Sequence, residues 1–165
     1  MPQTDRQLPR VTLRPPAAGD VNSIFRWECD RRPGFDSPGQ WEPPTHFDVW
    51  NFVNTYSHDL TARGQVRFMV MSDDDTPVGM IDLTGYDAAG HTADISIYIA
   101  GPFRGHGYAT AAIRTLVADT LPVLPERLAV LTATVMPGNS ASAGAFRAAG
   151  FRQASDCLLS LDIER

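Results

Sequence analysis

The sequence predicts a single mixed α/β domain on one sheet of six to seven mostly antiparallel strands, with about four helices and a parallel pair at the centre of the sheet. Three observations predict it. Strand-length runs, some alternating and some wholly apolar, are separated by turn sequences such as Asp-Asp-Asp-Thr-Pro at 73–77 and Asp-Ala-Ala-Gly at 87–90. Amphipathic segments with helical periodicity are interspersed among them. The chain has 165 residues, 43% hydrophobic and 20% charged, which suits one core of ordinary size and is short for two.

Taken in order, residues 1–10 read as a flexible N-terminus and 11–165 as the domain. Residues 11–14 make a first short strand. Asp20 is placed to cap a helix with Val21, Ile24, Phe25 and Trp27 on its apolar side. Residues 31–44 hold four prolines and two glycines without a period and read as a loop. Thr45 and Asp48 resemble a capping box, and Phe47, Trp50, Phe52, Val53 and Tyr56 follow as a second helix ending near Gly64.

Residues 65–72 alternate as a strand, Val66, Phe68 and Val70 against Arg67, Met69 and Met71. Two turns in a row then imply a meander through 78–86 to a strand at 93–100. A helix over 108–121 sets Ala109, Ala112, Ile113, Leu116 and Val117 on one face, and Pro122 and Pro125 stop it. The nearly all-apolar run 128–135 returns as a central strand, parallel to its predecessor through that helical crossover. Asn139 reads as the N-cap of a further helix and Gly150 as its left-handed C′ residue. Residues 151–163 supply one or two closing strands.

Composition excludes several classes. The net charge is −5 with no basic block, so nucleic acid is not an expected partner. No apolar run is long enough to span a bilayer and residues 1–10 lack a signal-peptide core, so a membrane is not expected either. Two cysteines, Cys29 and Cys157, make no disulfide framework, and the cytoplasm is the expected compartment.

The chemistry concentrates after the strand at 93–100. A strand, a glycine-bearing loop and a helix N-terminus follow one another there, which makes an anion site from unpartnered first-turn amides and the positive end of the helix dipole. Gly105 and Gly107 would let a phosphate approach the backbone, and Arg104 adds a cation. The loop lacks the Gly-Lys-Ser/Thr ending of a P-loop, and Thr110 stands where a dinucleotide fingerprint needs its third glycine.

Arg104-x-x-Gly107-x-Ala109 resembles the Gln/Arg-x-x-Gly-x-Gly/Ala motif of the GNAT family of N-acetyltransferases. Asn139-x-x-Ser142, Phe146 and Gly150-Phe151 are similar to the family's closing Asn-x-x-Ser/Ala-x-x-x-Tyr-x-x-x-Gly-Phe. The resemblance covers roughly residues 11–163. It implies acetyl-coenzyme A as cosubstrate, no metal, and a primary amine as acceptor, either a small molecule or an amino group of a peptide or protein. It also implies that the central parallel strands splay. The backbone of Ile97, Tyr98 and Ile99 would then meet the pantetheine arm. Gly105, His106, Gly107, Tyr108, Ala109 and Thr110 would surround the pyrophosphate with Arg104 at the loop entrance, Asn139 would touch the cofactor arm, and Phe146 would lie beside it. His106 occupies a variable slot and reads as a solvated neighbour of phosphate.

Phe146 stands where many members of the family carry a Tyr that protonates the departing thiolate, and a phenyl ring has no proton to give. A Phe at this slot, the opening Val11-Thr-Leu-Arg14 with Asp20, and the phrase Ala93-Asp94-Ile95 resemble the ribosomal-protein N-terminal and polyamine branches. Those branches often carry an acid at the position of Asp94, where it can act as general base through water. Asp94 reads equally as a surface residue opening a strand. Period two sets Asp94, Ser96 and Tyr98 on one face.

For acceptor contact the candidates are Glu28, Trp41 and Tyr86. The first two belong to a segment where Glu28, Asp30, Asp36, Glu42 and Asp48 accompany Trp27 and Phe35, a mixture suited to a cationic amine. The same residues also suit a solvated loop over packed aromatics. A catalytically weak or inert acyl-coenzyme A sensor is the alternative function. A monomer or homodimer is expected.

Overall fold

Short turns leave consecutive strands no choice but to pair antiparallel, and the first half of the sheet follows that rule. The computed structural model describes residues 7–32, 42–56 and 59–163. In it β1 (Val11–Arg14), β2 (Gln65–Ser72), β3 (Pro77–Asp87) and β4 (Thr92–Ile99) pair in that order, all antiparallel. The crossover through α4 (Tyr108–Thr115) brings β5 (Val130–Thr134) parallel to β4. β7 (Leu158–Asp162) and β6 (Arg152–Ser155) complete a seven-stranded sheet of order β1-β2-β3-β4-β5-β7-β6.

Both faces of this sheet are covered, so the alternation along β2 separates two cores instead of core from solvent. Val66, Phe68 and Val70 join the larger one with α3 (Leu60–Arg63), α4 and α5 (Ser140–Ala148). Met69 and Met71 join Met80 and Tyr98 beneath α1 (Val21–Asp30) and α2 (His46–Asn54).

Three local expectations change. Asp20 does not cap α1 with its side chain; its carboxylate takes Arg14 at 2.6 and 2.9 Å and the Ala17 amide at 2.7 Å. The helix expected over 45–64 is two helices, because Asp59 starts a second one by accepting from the Ala62 amide at 2.7 Å. Thr45 and Asp48 do form the expected capping box, and Gly64 ends α3 at φ +67°. The helix expected to reach 121 is α-helical to Thr115, then widens to a π turn over Leu116–Thr120 and tightens to a 3-10 turn carrying Pro122.

Candidate active site

Pairing between β4 and β5 runs through Thr92, Ala93 and Asp94 against Val130, Leu131 and Thr132, and beyond that point the strands part. A cleft of about 560 Å³ opens in the fork. Its walls are the rest of β4, the loop 104–107 with the first turn of α4, and the start of α5 with Phe146.

Strand geometry decides which backbone groups face the cleft. A Cβ built at Gly79 of β3 would collide with the Tyr98 carbonyl oxygen, so that carbonyl is turned toward β3. The alternation along a strand then turns the main-chain groups of Ile97 and Ile99 into the fork. Of the three residues expected to meet a pantetheine arm, all line the cleft; Ile97 and Ile99 turn main-chain groups into the fork, and Tyr98 turns its carbonyl to β3. The Ile99 carbonyl already accepts from Arg104 Nε at 2.7 Å.

Gly107 is the N-cap residue of α4, at φ +88°, and no side chain caps the helix. The first intrahelical bond runs from the Ala111 amide to the Gly107 carbonyl at 3.0 Å, so the Tyr108, Ala109 and Thr110 amides precede the ladder. All four residues, with Gly105, line the cleft. An uncapped helix start beside a strand with open main-chain groups fits a pyrophosphate joined to an amide-bearing arm. A Cβ on Gly107 would press on Leu8 and Pro9 at 3.1 and 3.2 Å, so positive φ and this packed neighbour already favour the glycine. Leu8 and Pro9, assigned from the sequence to a flexible tail, are the residues in contact. His106 is exposed, with Nδ1 3.3 Å from the Phe103 carbonyl, and does not line the cleft.

Asn139 accepts from the Ser142 amide at 3.3 Å, the expected cap of α5, and also lines the cleft. Phe146 is buried, edge-on to Phe151 at 5.0 Å between centroids. Asp94 sits at the vertex of the fork, accepting from Thr132 Oγ1 at 2.9 Å. Burial pushes its carboxyl above the ordinary value, and the Thr132 bond offsets part of that.

Of the expected acceptor residues, Glu28 and Tyr86 do not line the cleft. Trp41, with Phe35 and Asp36, lies outside the described residues. Tyr86 donates to the Arg127 carbonyl at 3.3 Å and packs on the larger core, away from the cleft. Glu28 is buried and held by Arg67 at 2.9 Å and Arg31 at 3.1 Å, so its charge is compensated inside the protein. Asp48 is spent on its capping box. Arg31 and Arg32 line the cleft. Arg67 and Asp82 were also missed: they form a buried pair, with Nε and Nη2 of Arg67 on the carboxylate at 2.8 and 2.7 Å. A lone charge of opposite sign in each of two adjacent apolar strands was the available signal.

The domain model described as acetyltransferase (GNAT) domain matches residues 10–152. The chain belongs to the GNAT acetyltransferase family. Solved structures of the same fold include the spermidine N-acetyltransferase of Vibrio cholerae in complex with CoA and spermine. That match has a TM-score of 0.76 and 16% identity, over 93% of this chain and 95% of that one. A dodecameric structure of the Vibrio cholerae enzyme matches with a TM-score of 0.73 and 19% identity, over 92% and 93% of the two chains. No curated protein sequence matches the chain. This GNAT domain is an acetyl-coenzyme A-dependent N-acetyltransferase. Among the described residues no helix is long and apolar enough to cross a membrane, and no three His, Cys, Asp or Glu side chains are grouped to hold a metal ion.

Proposed function

We propose that the domain passes the acetyl group directly to a primary amine, with Asp94 taking the amine proton and Phe146 serving only to wall the thioester. The reading places it beside the ribosomal-protein N-terminal and polyamine branches of the GNAT family. Phe146 at the tyrosine slot, Asp94 at the fork vertex and the opening at 11–20 support that placement. The acceptor is a small-molecule amine or an amino group of a peptide or protein. The protein works in the cytoplasm as a monomer or homodimer.

Acetyl-coenzyme A supplies an activated thioester carbonyl. The first-turn amides of Tyr108, Ala109 and Thr110 hold its pyrophosphate, and Ile97 and Ile99 meet its arm in the fork. The amine nitrogen attacks the carbonyl carbon, the N–C bond forms and the C–S bond breaks. The amine proton passes through water to Asp94, whose carboxyl is pushed above its ordinary range by burial and so holds a proton more readily than an exposed aspartate. The sulfur leaves as thiolate, which a thiol pKa of about 8.5 permits without a protein acid.

The single observation that carries this reading is the opening of β4 from β5 just past Asp94. Release of coenzyme A thiol with a panel of amines tests it, and acetylated product should appear in step with thiol. A second reading, an inert acyl-coenzyme A sensor, is favoured by the missing hydroxyl at Phe146. Tight cofactor binding with no thiol release from any amine would decide for the sensor.

A further inference from the structure

The charges of the cleft run against the polycation that the structural neighbours bind. Among the described residues its lining holds Arg31, Arg32 and Arg104 and no carboxylate. Two buried acids on the α1 side of the sheet are already matched: Glu28 lies between Arg67 and Arg31, and Asp82 takes Arg67 through two nitrogens. These two acids and two arginines balance, and Arg104 adds charge beyond them.

The Arg104 side chain also turns back toward β4. With Nε on the Ile99 carbonyl, its guanidinium carbon lies 5.3 Å from the centre of the Tyr98 ring. Arg31 approaches the same ring at 5.7 Å. Tyr98 belongs to the core beneath α1 and α2, on the opposite face of the sheet from α4 and α5. Two cations thus converge on the face away from the pyrophosphate cradle. Glu28 already matches Arg31 at 3.1 Å, so among the described residues Arg104 brings the charge in excess, and the planar fork of a guanidinium matches an oxyanion.

We propose that Arg31 and Arg104, converging on the Tyr98 ring, select an amine acceptor that carries a carboxylate or phosphate group. The proposal rests on the amine-acetyltransfer reading above. It assigns the acceptor as a small zwitterionic or anionic amine, not a polyamine.

The test compares matched acceptors: α-amino acids against their amides, an amino-sugar phosphate against the free amino sugar, and spermidine. The wild-type protein should favour the anionic member of a pair by about ten- to hundredfold in kcat/KM, the range of a charge-assisted contact. The two pairs distinguish carboxylate from phosphate. Arg31→Gln should erase most of that ratio, and Arg31→Lys should keep part of it. Equal or better turnover of the uncharged member or of spermidine by the wild type overturns the proposal, with no variant required. So does an Arg31→Gln protein that loses coenzyme A affinity while its acceptor ratio stays unchanged. If no amine in the panel releases thiol, the transfer reading fails separately. Calorimetry of the same pairs on the protein–coenzyme A complex then decides the anion site, tighter binding of the anionic member supporting it and equal binding refuting it.

Discussion

Asp94 occupies the last paired position of β4 before the fork, half-buried and bonded to Thr132. Because burial raises its pKa above the ordinary aspartate value, its ionised form is disfavoured in the folded state. The linkage has a definite sign. The stability contributed by protonated Asp94 is fully present below the unfolded pKa and is lost as pH rises through the folded one. A base must be ionised to work, so catalysis gains over the same window in which stability is lost. Asp94→Asn should therefore cut turnover by about 10²–10⁴-fold and flatten the rising limb of the pH–rate profile. It should leave coenzyme A affinity intact, and urea unfolding at neutral pH should show no loss of stability. Wild-type turnover in this variant, or a clear drop in its unfolding midpoint, would assign Asp94 a structural part instead.

At the scale of elements, β2 and β3 are fastened across the α1 side by the Arg67–Asp82 pair, with Glu28 of α1 closing the group from above. Burial works against the Arg67 charge, but Asp82 and Glu28 outweigh it and raise its pKa. Tyr56 adds a bond from its hydroxyl to the Arg67 carbonyl at 2.6 Å, and burial pushes that phenol up to about 12. Removing the cation alone strands the buried Asp82 and leaves Glu28 with Arg31 only. Arg67→Met should lower the unfolding free energy by about 3–5 kcal/mol, measured by urea titration. Replacing Asp82 by Leu in the same protein should recover part of it. An Arg67→Met midpoint equal to wild type would mean that α1 lifts and solvates Glu28. Little of this network was legible in the sequence, since β2 reads as a half-buried alternation until both sheet faces prove to be covered. The strands themselves were legible, because turn residues at 73–77 and 87–90 fix where they end. The glycine loop and the helix start after it were legible too, because Gly107 and the residues that follow specify that start locally. What stayed hidden was the division of the expected second helix into α2 and α3, and the return of the Arg104 side chain to Tyr98. Neither has a periodic signature.

For the whole molecule, the fork divides the sheet into a β1–β4 half and a β5–β7–β6 half that share a short parallel seam. The proposed cofactor site uses both halves: Ile97, Ile99 and the α4 start from one, Asn139 and Phe146 from the other. A ligand held by both should couple them. At a hundredfold excess over its dissociation constant it should stabilise the fold by about 2.7 kcal/mol. For a domain of this size that corresponds to a rise in Tm of about 5–10 °C. Hydrogen exchange gives the coupling a residue-level signature. The amides of Ile97 and Ile99 face the fork and should exchange readily without coenzyme A and slowly with it. The Tyr98 carbonyl and the Ala100 amide are turned toward β3, the latter bonded to the Val78 carbonyl at 2.9 Å. The Ala100 amide should therefore be protected in both states, making it the internal control. Protection that rises equally at Ala100, Ile97 and Ile99 would report only global stabilisation, and a Tm shift without any gain at Ile97 and Ile99 would place the arm outside the fork.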